Sequence, residues 1–387
     1  MHVREKKNSA APAAKQSDMV GVERAWPVLF WVAGVLGFVL PKRQPSGHYR
    51  TSWVRLFPMV TITPLMCWFI FTYQVLFTNN SYDQVVDLLT YSACASLVAF
   101  TFALAIYKRR ETCILFEGLS GKLKPAGKWV SLACSLLLLL DVGLFLLNNY
   151  SVVDRIINLP ILGWFTMTMI YPVLPLLVDL HVAHSVRALN QVYAGTLSRI
   201  LPGGSFSSWT RGPVEGLPVQ NGEQPKGVHE PGNVDTVLHH ITDTLHLVDM
   251  HNQVFSSWTL VRCGALLAKL LDSSYYFTVL FCQNLWGWTL YTGNEIGSFL
   301  FLCRQADLLK ENHRKVEGAL FTLQQQPSTP LEDRQRLLSL SLHLKSHPAH
   351  IAIGSVGSLG THILIILLNV ALTFMAILYQ YRPVSAE

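Results

Sequence analysis

Of the 387 residues, half are hydrophobic and only 14% are charged, where a soluble domain carries about a quarter. The apolar residues also fall into blocks long enough to cross a bilayer, which excludes a soluble globule and places the chain in the membrane class. The formal net charge of +6 then matters by where it sits, and no nucleic-acid partner is indicated.

The chain opens on a polar, small-residue-rich tail, Met1–Glu23, containing Lys6, Lys7 and Lys15. It reads as disordered. It lacks the apolar core that would make it a cleaved signal. Ala25–Leu40 is apolar but too short to span, and reads as a helix at the cytoplasmic interface or one dipping in and out. Seven membrane spans follow at about 20 residues per crossing: Trp53–Phe77, Val85–Tyr107, Trp129–Leu147, Ile157–Leu180, Trp258–Cys282, Leu285–Cys303 and Gly357–Tyr381. Pro58 and Pro64 predict a bend in the first. The fifth and sixth are nearly fused, with a split at Cys282-Gln283-Asn284. After span four, Asp179-Leu180-His181 continues as helix toward Leu197, and Ser198–Asn233 is a Gly-, Pro- and Ser-rich flexible loop. Order returns at Val234, where Val234, Leu238, Ile241, Leu245, Val248 and Phe255 form one apolar stripe on a helix. That stripe suits packing on its own chain, on other copies, or both. Arg304–Lys345 is also helical in pattern, so spans four to seven extend into a bundle below the membrane. His347-Pro348-Ala349-His350 and then Gly354, Gly357 and Gly360 predict that the last helix enters the membrane in two pieces.

Orientation follows from Lys and Arg. Twenty-five of the thirty lie in Met1–Ser52, Lys108–Lys128, His181–Ser257 and Arg304–His350. The alternate loops and the C-terminal tail hold only Arg155 and Arg382, and Arg55, Arg262 and Lys269 fall inside spans. The N-terminus is therefore expected in the cytoplasm and the C-terminus outside. Two glycosylation patterns, at Asn79 and Asn149, fall in loops on the outer side. The expected division is a cytoplasmic tail with a short interfacial helix (1–52), and then spans one to six with a ligand pocket (53–303), including the long cytoplasmic loop 181–257. A cytoplasmic helical anchor (304–350), a pore-lining seventh helix (351–381) and an extracellular tail (382–387) complete it.

The seventh span ends on Thr373-Phe374, five mostly apolar residues, and Gln380-Tyr381. This segment resembles the signature of arthropod gustatory receptors, which reads Thr-Tyr, five residues, Gln-Phe. Here Phe374 and Tyr381 exchange the rings, so only hydroxyls move. The run Leu247-Val248-Asp249-Met250-His251-Asn252-Gln253-Val254-Phe255 is similar to the family's helix before span five. Length, span number and inner basic loops agree as well. The resemblance implies an all-α, polytopic fold of the insect odorant/gustatory receptor type. It also implies a ligand-gated cation channel assembled as a homo- or heterotetramer, with span seven lining the pore and a small-molecule tastant bound in the outer halves of spans two to six. No cofactor, metal or enzymatic activity is implied. Met375 stands where the sugar-receptor branch carries an acid, which argues against a sugar ligand.

Thr373, Ile377 and Gln380 lie at i, i+4 and i+7, on one helical face. In a fourfold pore they offer a hydroxyl, a ring of Ile377 able to close by dewetting, and a ring of amides for a partly hydrated cation. For the ligand pocket, ionisable groups inside spans raise Asp141 and Asp272. Lys269 and Asp272, at i and i+3, can instead pair on their own helix. Asp141 has no such local partner, though Arg262 is a distant option. Glu295 and Asn294 are weaker candidates. Trp164, Tyr276 and Trp288 belong to an outer aromatic cluster that doubles as an interfacial belt or as stacking faces for a ligand.

Other classes remain as alternatives. A G-protein-coupled receptor also has seven spans, but needs an outer N-terminus, and its Asp-Arg-Tyr and Asn-Pro-x-x-Tyr signatures are missing. A transporter is possible, although no paired halves are visible. The fourteen histidines raise a metalloenzyme, yet only His239-His240 are adjacent, and packing or solvated histidines account for them better.

Overall fold

The computed structural model describes residues 22–38, 41–76, 82–120, 136, 139–140, 143, 161–200, 234–275, 277–278, 285–327 and 329–380. In chain order the helices are α1 Val22–Ala25, α2 Pro27–Val35, α3 Phe57–Leu76, α4 Tyr82–Tyr107, α5 Arg109–Leu119, α6 Ile161–Ile200, α7 Val234–Tyr275, α8 Leu285–Gln325, α9 Leu331–Ser346 and α10 Thr361–Gln380. Two small antiparallel hairpins interrupt the helical pattern: β1 Pro41–Arg43 with β2 Tyr49–Thr51, and β3 Ala352–Ile353 with β4 Gly357–Ser358.

The scaffold is set by three very long helices. α6, α7 and α8 have 40, 42 and 41 residues. At 1.5 Å per residue each is about 60 Å long, twice the roughly 30 Å hydrocarbon core of a bilayer. Two described helices are long and apolar enough to cross a membrane, Val234–Tyr275 and Thr361–Gln380. The third expected span, Trp129–Leu147, falls almost wholly outside the described residues, as does the expected split at Cys282-Gln283-Asn284.

The core follows from the apolar stripes. On α7, Ile241, Val248 and Phe255 are buried, while Val234, Leu238 and Leu245 pack against the same core at its edge. The stripe thus packs within one chain. Opposite it α6 buries Leu177, Ala183, Val186 and Leu189, and α8 buries Leu302, Ala306, Leu309 and Val316.

Two expectations need correcting. The N-terminal apolar segment is helical only over Pro27–Val35. Pro41 ends the possibility of helix and opens the first hairpin, which Gly47 turns with φ +89°. One face of this unit packs on the rest of the protein. Trp26, Leu29, Phe30, Ala33 and Phe38 are buried, whereas Trp31 is 67% exposed. Val22 N–H donates to the Tyr49 hydroxyl at 3.0 Å, and Tyr49 N–H to Glu117 Oε1 at 2.9 Å, which fastens the unit to α5. The second correction concerns the last span. Its helix begins at Thr361, because Gly357 and Ser358 pair as β4 with β3. The expected two-piece entry is therefore α9, a hairpin, then α10.

Candidate functional site

α10 has two unlike faces. Leu364, Leu367 and Ala371 are its buried residues. At about 100° per residue, Thr373, Ile377 and Gln380 fall close to the opposite side. All three are exposed, Ile377 by 46%. The same line runs back through Asn369, Ile366 and His362, each exposed too. The six residues form one seam, with steps of 4, 3, 4, 4 and 3, in which four side chains are polar. A helix face meant for lipid has no use for an amide, a hydroxyl and a second amide at that spacing, since uncompensated polar groups are costly in hydrocarbon. Thr373 donates its hydroxyl to the carbonyl of Asn369 at 2.8 Å. Its donor is thus spent within the helix, and what it offers outward is acceptor capacity. Asn369 and His362 were not singled out in the sequence; the available signal was polar residues recurring at helical spacing in the most apolar segment.

The entry to α10 is tied to two of the long helices. Asn252 of α7 donates from Nδ2 to the carbonyl of His350 at 2.8 Å and accepts from Ala352 N–H at 2.9 Å, so its amide serves as a strand partner. Gly354 N–H donates to the carbonyl of Ser256 at 3.0 Å. Gly354 has φ +53°, and a Cβ there would lie 2.9 Å from Leu260 Cδ2. Asp307 of α8 accepts from the Thr361 N–H at 2.9 Å and from its hydroxyl, capping the first turn of α10 with a carboxylate where the helix dipole favours one. Gly360 makes room for this: a Cβ on it would lie 2.5 Å from Asp307 Oδ1.

Between α6, α7 and α8 lies a fully buried charge network. The Arg262 guanidinium donates through Nε and Nη2 to the two oxygens of Asp179, at 2.9 and 2.7 Å, and through Nη2 to Glu295 Oε2 at 2.7 Å. Lys269 donates to the other Glu295 oxygen, and Ser298 to Asp179 Oδ2. Two cations and two carboxylates balance. The Asp179 arm is the bidentate fork that a guanidinium makes with a carboxylate. Arg262 and Asp179 are both 0% exposed. Lys269 thus meets Glu295 on the next helix, and Arg262 meets Asp179 and Glu295. In the sequence Asp179 marks only the inner end of a span; the available signal for its role is an arginine, Arg262, within an expected span.

A second buried cluster sits just below. His181 packs edge-on against Trp26, Phe38, Phe116 and Phe255, and neither of its ring nitrogens has a hydrogen-bond partner. His184 stacks on Trp26, and His251 meets Ser185 Oγ at 2.7 Å. Burial pushes His181 down to about 3, His184 to about 4 and His251 to about 3. They pack as neutral rings. Among the described residues, no group of three or more His, Cys, Asp or Glu is arranged to hold a metal ion.

Of the expected ligand-pocket residues, Asp272 is buried on α7. Beside it Ser273 Oγ lies 3.0 Å from Thr292 Oγ1, and Ser274 donates to the carbonyls of Leu270 and Ala371, the latter on α10 at 3.4 Å. Asp141 and Tyr276, with the side chains of Trp164 and Trp288, lie outside the described residues, as do the Asn79 and Asn149 patterns.

No family model matches the chain, and no curated protein matches it by sequence. Solved structures do. The insect olfactory receptor OR5 from Machilis hrabei superposes with a TM-score of 0.61 at 12% identity, covering 92% of this chain and 97% of that one. The structure of the same receptor in complex with eugenol superposes with a TM-score of 0.61 at 13% identity and the same coverage. The chain therefore has the fold of an insect olfactory receptor over nearly its whole length.

Proposed function

We propose that this chain is a subunit of a chemoreceptor channel: a gustatory receptor of the plasma membrane that opens a non-selective cation pore when a small-molecule tastant binds. The observation that carries this is the polar seam of α10, exposed on the protomer and opposite the face that packs. Such a seam needs water or another copy against it, and both are supplied when several α10 helices surround a common axis. The fold likeness to an insect olfactory receptor, and that receptor's complex with eugenol, support the receptor class and a small organic ligand. The terminal Thr373-Phe374 and Gln380-Tyr381 pairs support the taste branch.

In this reading four subunits assemble, seven helices per subunit cross the bilayer, the N-terminus is cytoplasmic and the C-terminus extracellular. Ile377 forms the apolar constriction, and Gln380 the amide ring at the outer mouth. Asn252, bound to the hairpin before α10, and Asp307, bound to Thr361 of α10 itself, carry movement of α7 and α8 to the pore helix. The proposed ligand pocket draws on Asp272 and, from the sequence, on Asp141, Trp164, Tyr276 and Trp288. Asn79 and Asn149 are on the glycosylated side.

Expression in cells without G proteins, followed by patch clamp against a tastant panel, tests the reading. A ligand-evoked cation current is expected. An epitope tag at the N-terminus that is reachable on unpermeabilised cells would instead favour a G-protein-coupled receptor and end the channel reading.

A further inference from the structure

Beneath the start of α10 lies a cavity of about 590 Å³, lined by α8, the end of α9 and the β3–β4 hairpin. Its volume is that of a small-molecule site. Its lining is basic: Lys310, Arg314 and Lys345 contribute three fixed cations, with Ser355 and Ser358 as hydroxyl donors and His350 at the rim. Glu317 is the single carboxylate in the lining. The cations are not consumed by the protein. Arg314 and Lys345 have no ion pair or hydrogen bond among the described residues, and both are exposed. Lys310 donates to Ser358 Oγ at 3.2 Å and to the Leu359 carbonyl at 2.9 Å, which leaves one of its three N–H donors. Elsewhere on the same helix, Lys315 is paired with Glu311 at 2.7 Å. Of the three lining cations, Arg314 and Lys345 are thus unpaired among the described residues, and Lys310 keeps one donor.

Three converging cations with two hydroxyls are the donor set of a polyanion with several phosphate oxygens, because charge-assisted bonds to phosphate favour clustered Lys and Arg. A single carboxylate ligand would leave most of the set unused. Lys310 lies seven residues beyond Cys303, about 10 Å along the helix, so the cavity is within reach of headgroups at a membrane surface. Anionic headgroups concentrate at the cytoplasmic leaflet.

We propose that this cavity is a binding site for a multiply phosphorylated headgroup, of the inositol-phosphate class, at the base of the pore helix. Its cytoplasmic placement rests on the topology proposed above; the chemistry of the cavity does not. Because Lys310 also holds the Leu359 carbonyl and Ser358, an occupant of the site bears directly on the residues that lead into Thr361.

Binding to the purified full-length protein in detergent is the test, with soluble inositol trisphosphate as probe. Saturable binding is expected. Arg314→Glu combined with Lys345→Glu should weaken it by tenfold or more, on the order of one lost charge-assisted contact or greater. Both residues are exposed, so folding is spared, and a size-exclusion profile checks this. Ser355→Trp, which fills the cavity without changing charge, should weaken binding too, and Arg304→Glu, on the same helix but outside the cavity, should not. Reconstitution in phosphatidylcholine vesicles separates the sources. Greater protein thermal stability with phosphatidylinositol bisphosphate than with phosphatidylserine at matched charge assigns the site to a lipid headgroup. Displacement of the probe by inorganic phosphate at similar concentration assigns it to free phosphate. Absence of saturable binding, or equal binding by the charge-reversed variant, would overturn the proposal. None of these readouts requires a tastant or a conducting channel, so failure of the channel reading leaves the result interpretable.

Discussion

Among the described residues Arg262 is the largest fully buried side chain, and it sits between two carboxylates. A buried ion costs least when its charge is matched, and removing one partner strands the other; of this guanidinium only Nη1 lacks a hydrogen-bond partner among the described residues. Here the guanidinium fork answers both oxygens of Asp179 while Lys269 shares Glu295. Arg262→Met would leave two buried acids facing one lysine, a cost of about 3–5 kcal/mol. We expect loss of the monodisperse peak in fluorescence-detected size exclusion. Arg262→Lys keeps the charge but not the fork, and should give a folded protein with a lowered melting temperature. A melting temperature equal to wild type would show that charge balance alone matters. His181 makes the opposite case. It is neutral and unpartnered by hydrogen bonds within four aromatic rings. Its folded pKa, at about 3, lies below the unfolded value of about 6.5. The unfolded chain therefore binds the proton first on acidification, and stability present above about pH 6.5 is lost as pH falls toward 3. At pH 5 the penalty for one such group is about 2 kcal/mol. His181→Phe should leave stability near pH 7.5 little changed and flatten the acid side of a melting-temperature profile. An unchanged acid slope would move the sensitivity to His184 and His251.

At the scale of elements, the hairpin between α9 and α10 joins the proposed pore helix to α7, through Asn252. Gly360→Val would put side-chain carbon where Asp307 now caps Thr361. We expect it to fray the first turn of α10 and to lower evoked current more than surface expression, measured by whole-cell recording beside surface biotinylation. A proportional loss of both would reduce Gly360 to a folding position. Much of this joint was legible in the sequence. Pro348 and three glycines predict a break in the helix; the amphipathic stripe of α7 was legible too, though its partner, its own chain or another copy, was not. The hairpin itself was not legible, because two-residue strands carry no periodic signal, and Ala352 and Gly357 read equally well as membrane helix. The partner of Arg262 was not legible for a different reason. Asp179 is 83 residues away, and only the crossing of α6 and α7 brings the two together. The shared face of Thr373, Ile377 and Gln380 was legible from helical spacing, because a helix fixes its faces before any neighbour is chosen; their proposed role at a pore came from the terminal motif.

The whole molecule poses a problem that one copy does not solve. α10 buries three residues of twenty and exposes Ile365, Val370 and Leu372 outside the seam, yet it also carries Asn369, Thr373 and Gln380 within it. Lipid would suit the first set and not the second. A ring of copies reconciles them, with apolar flanks against neighbours and lipid and the polar seam on a wet axis. This makes a prediction that solvent exposure of the single chain does not. Leu372 and Thr373 are both exposed on the protomer, but only Thr373 belongs to the seam. In the assembled receptor, Thr373→Cys should be modified by an extracellular methanethiosulfonate reagent, with block of the evoked current, while Leu372→Cys should be spared. Equal modification would mean that the axis is not where the seam points. Ile377→Ser should raise the resting current, since a hydroxyl ring no longer excludes water from the constriction. Gln380→Glu should raise permeability to divalent over monovalent cations, because a carboxylate ring holds the former more tightly. The number of copies is read by mass photometry of the same detergent-solubilised protein. Four supports the proposed assembly. A monomer that still passes current would force the pore out of the α10 seam and into the protomer itself.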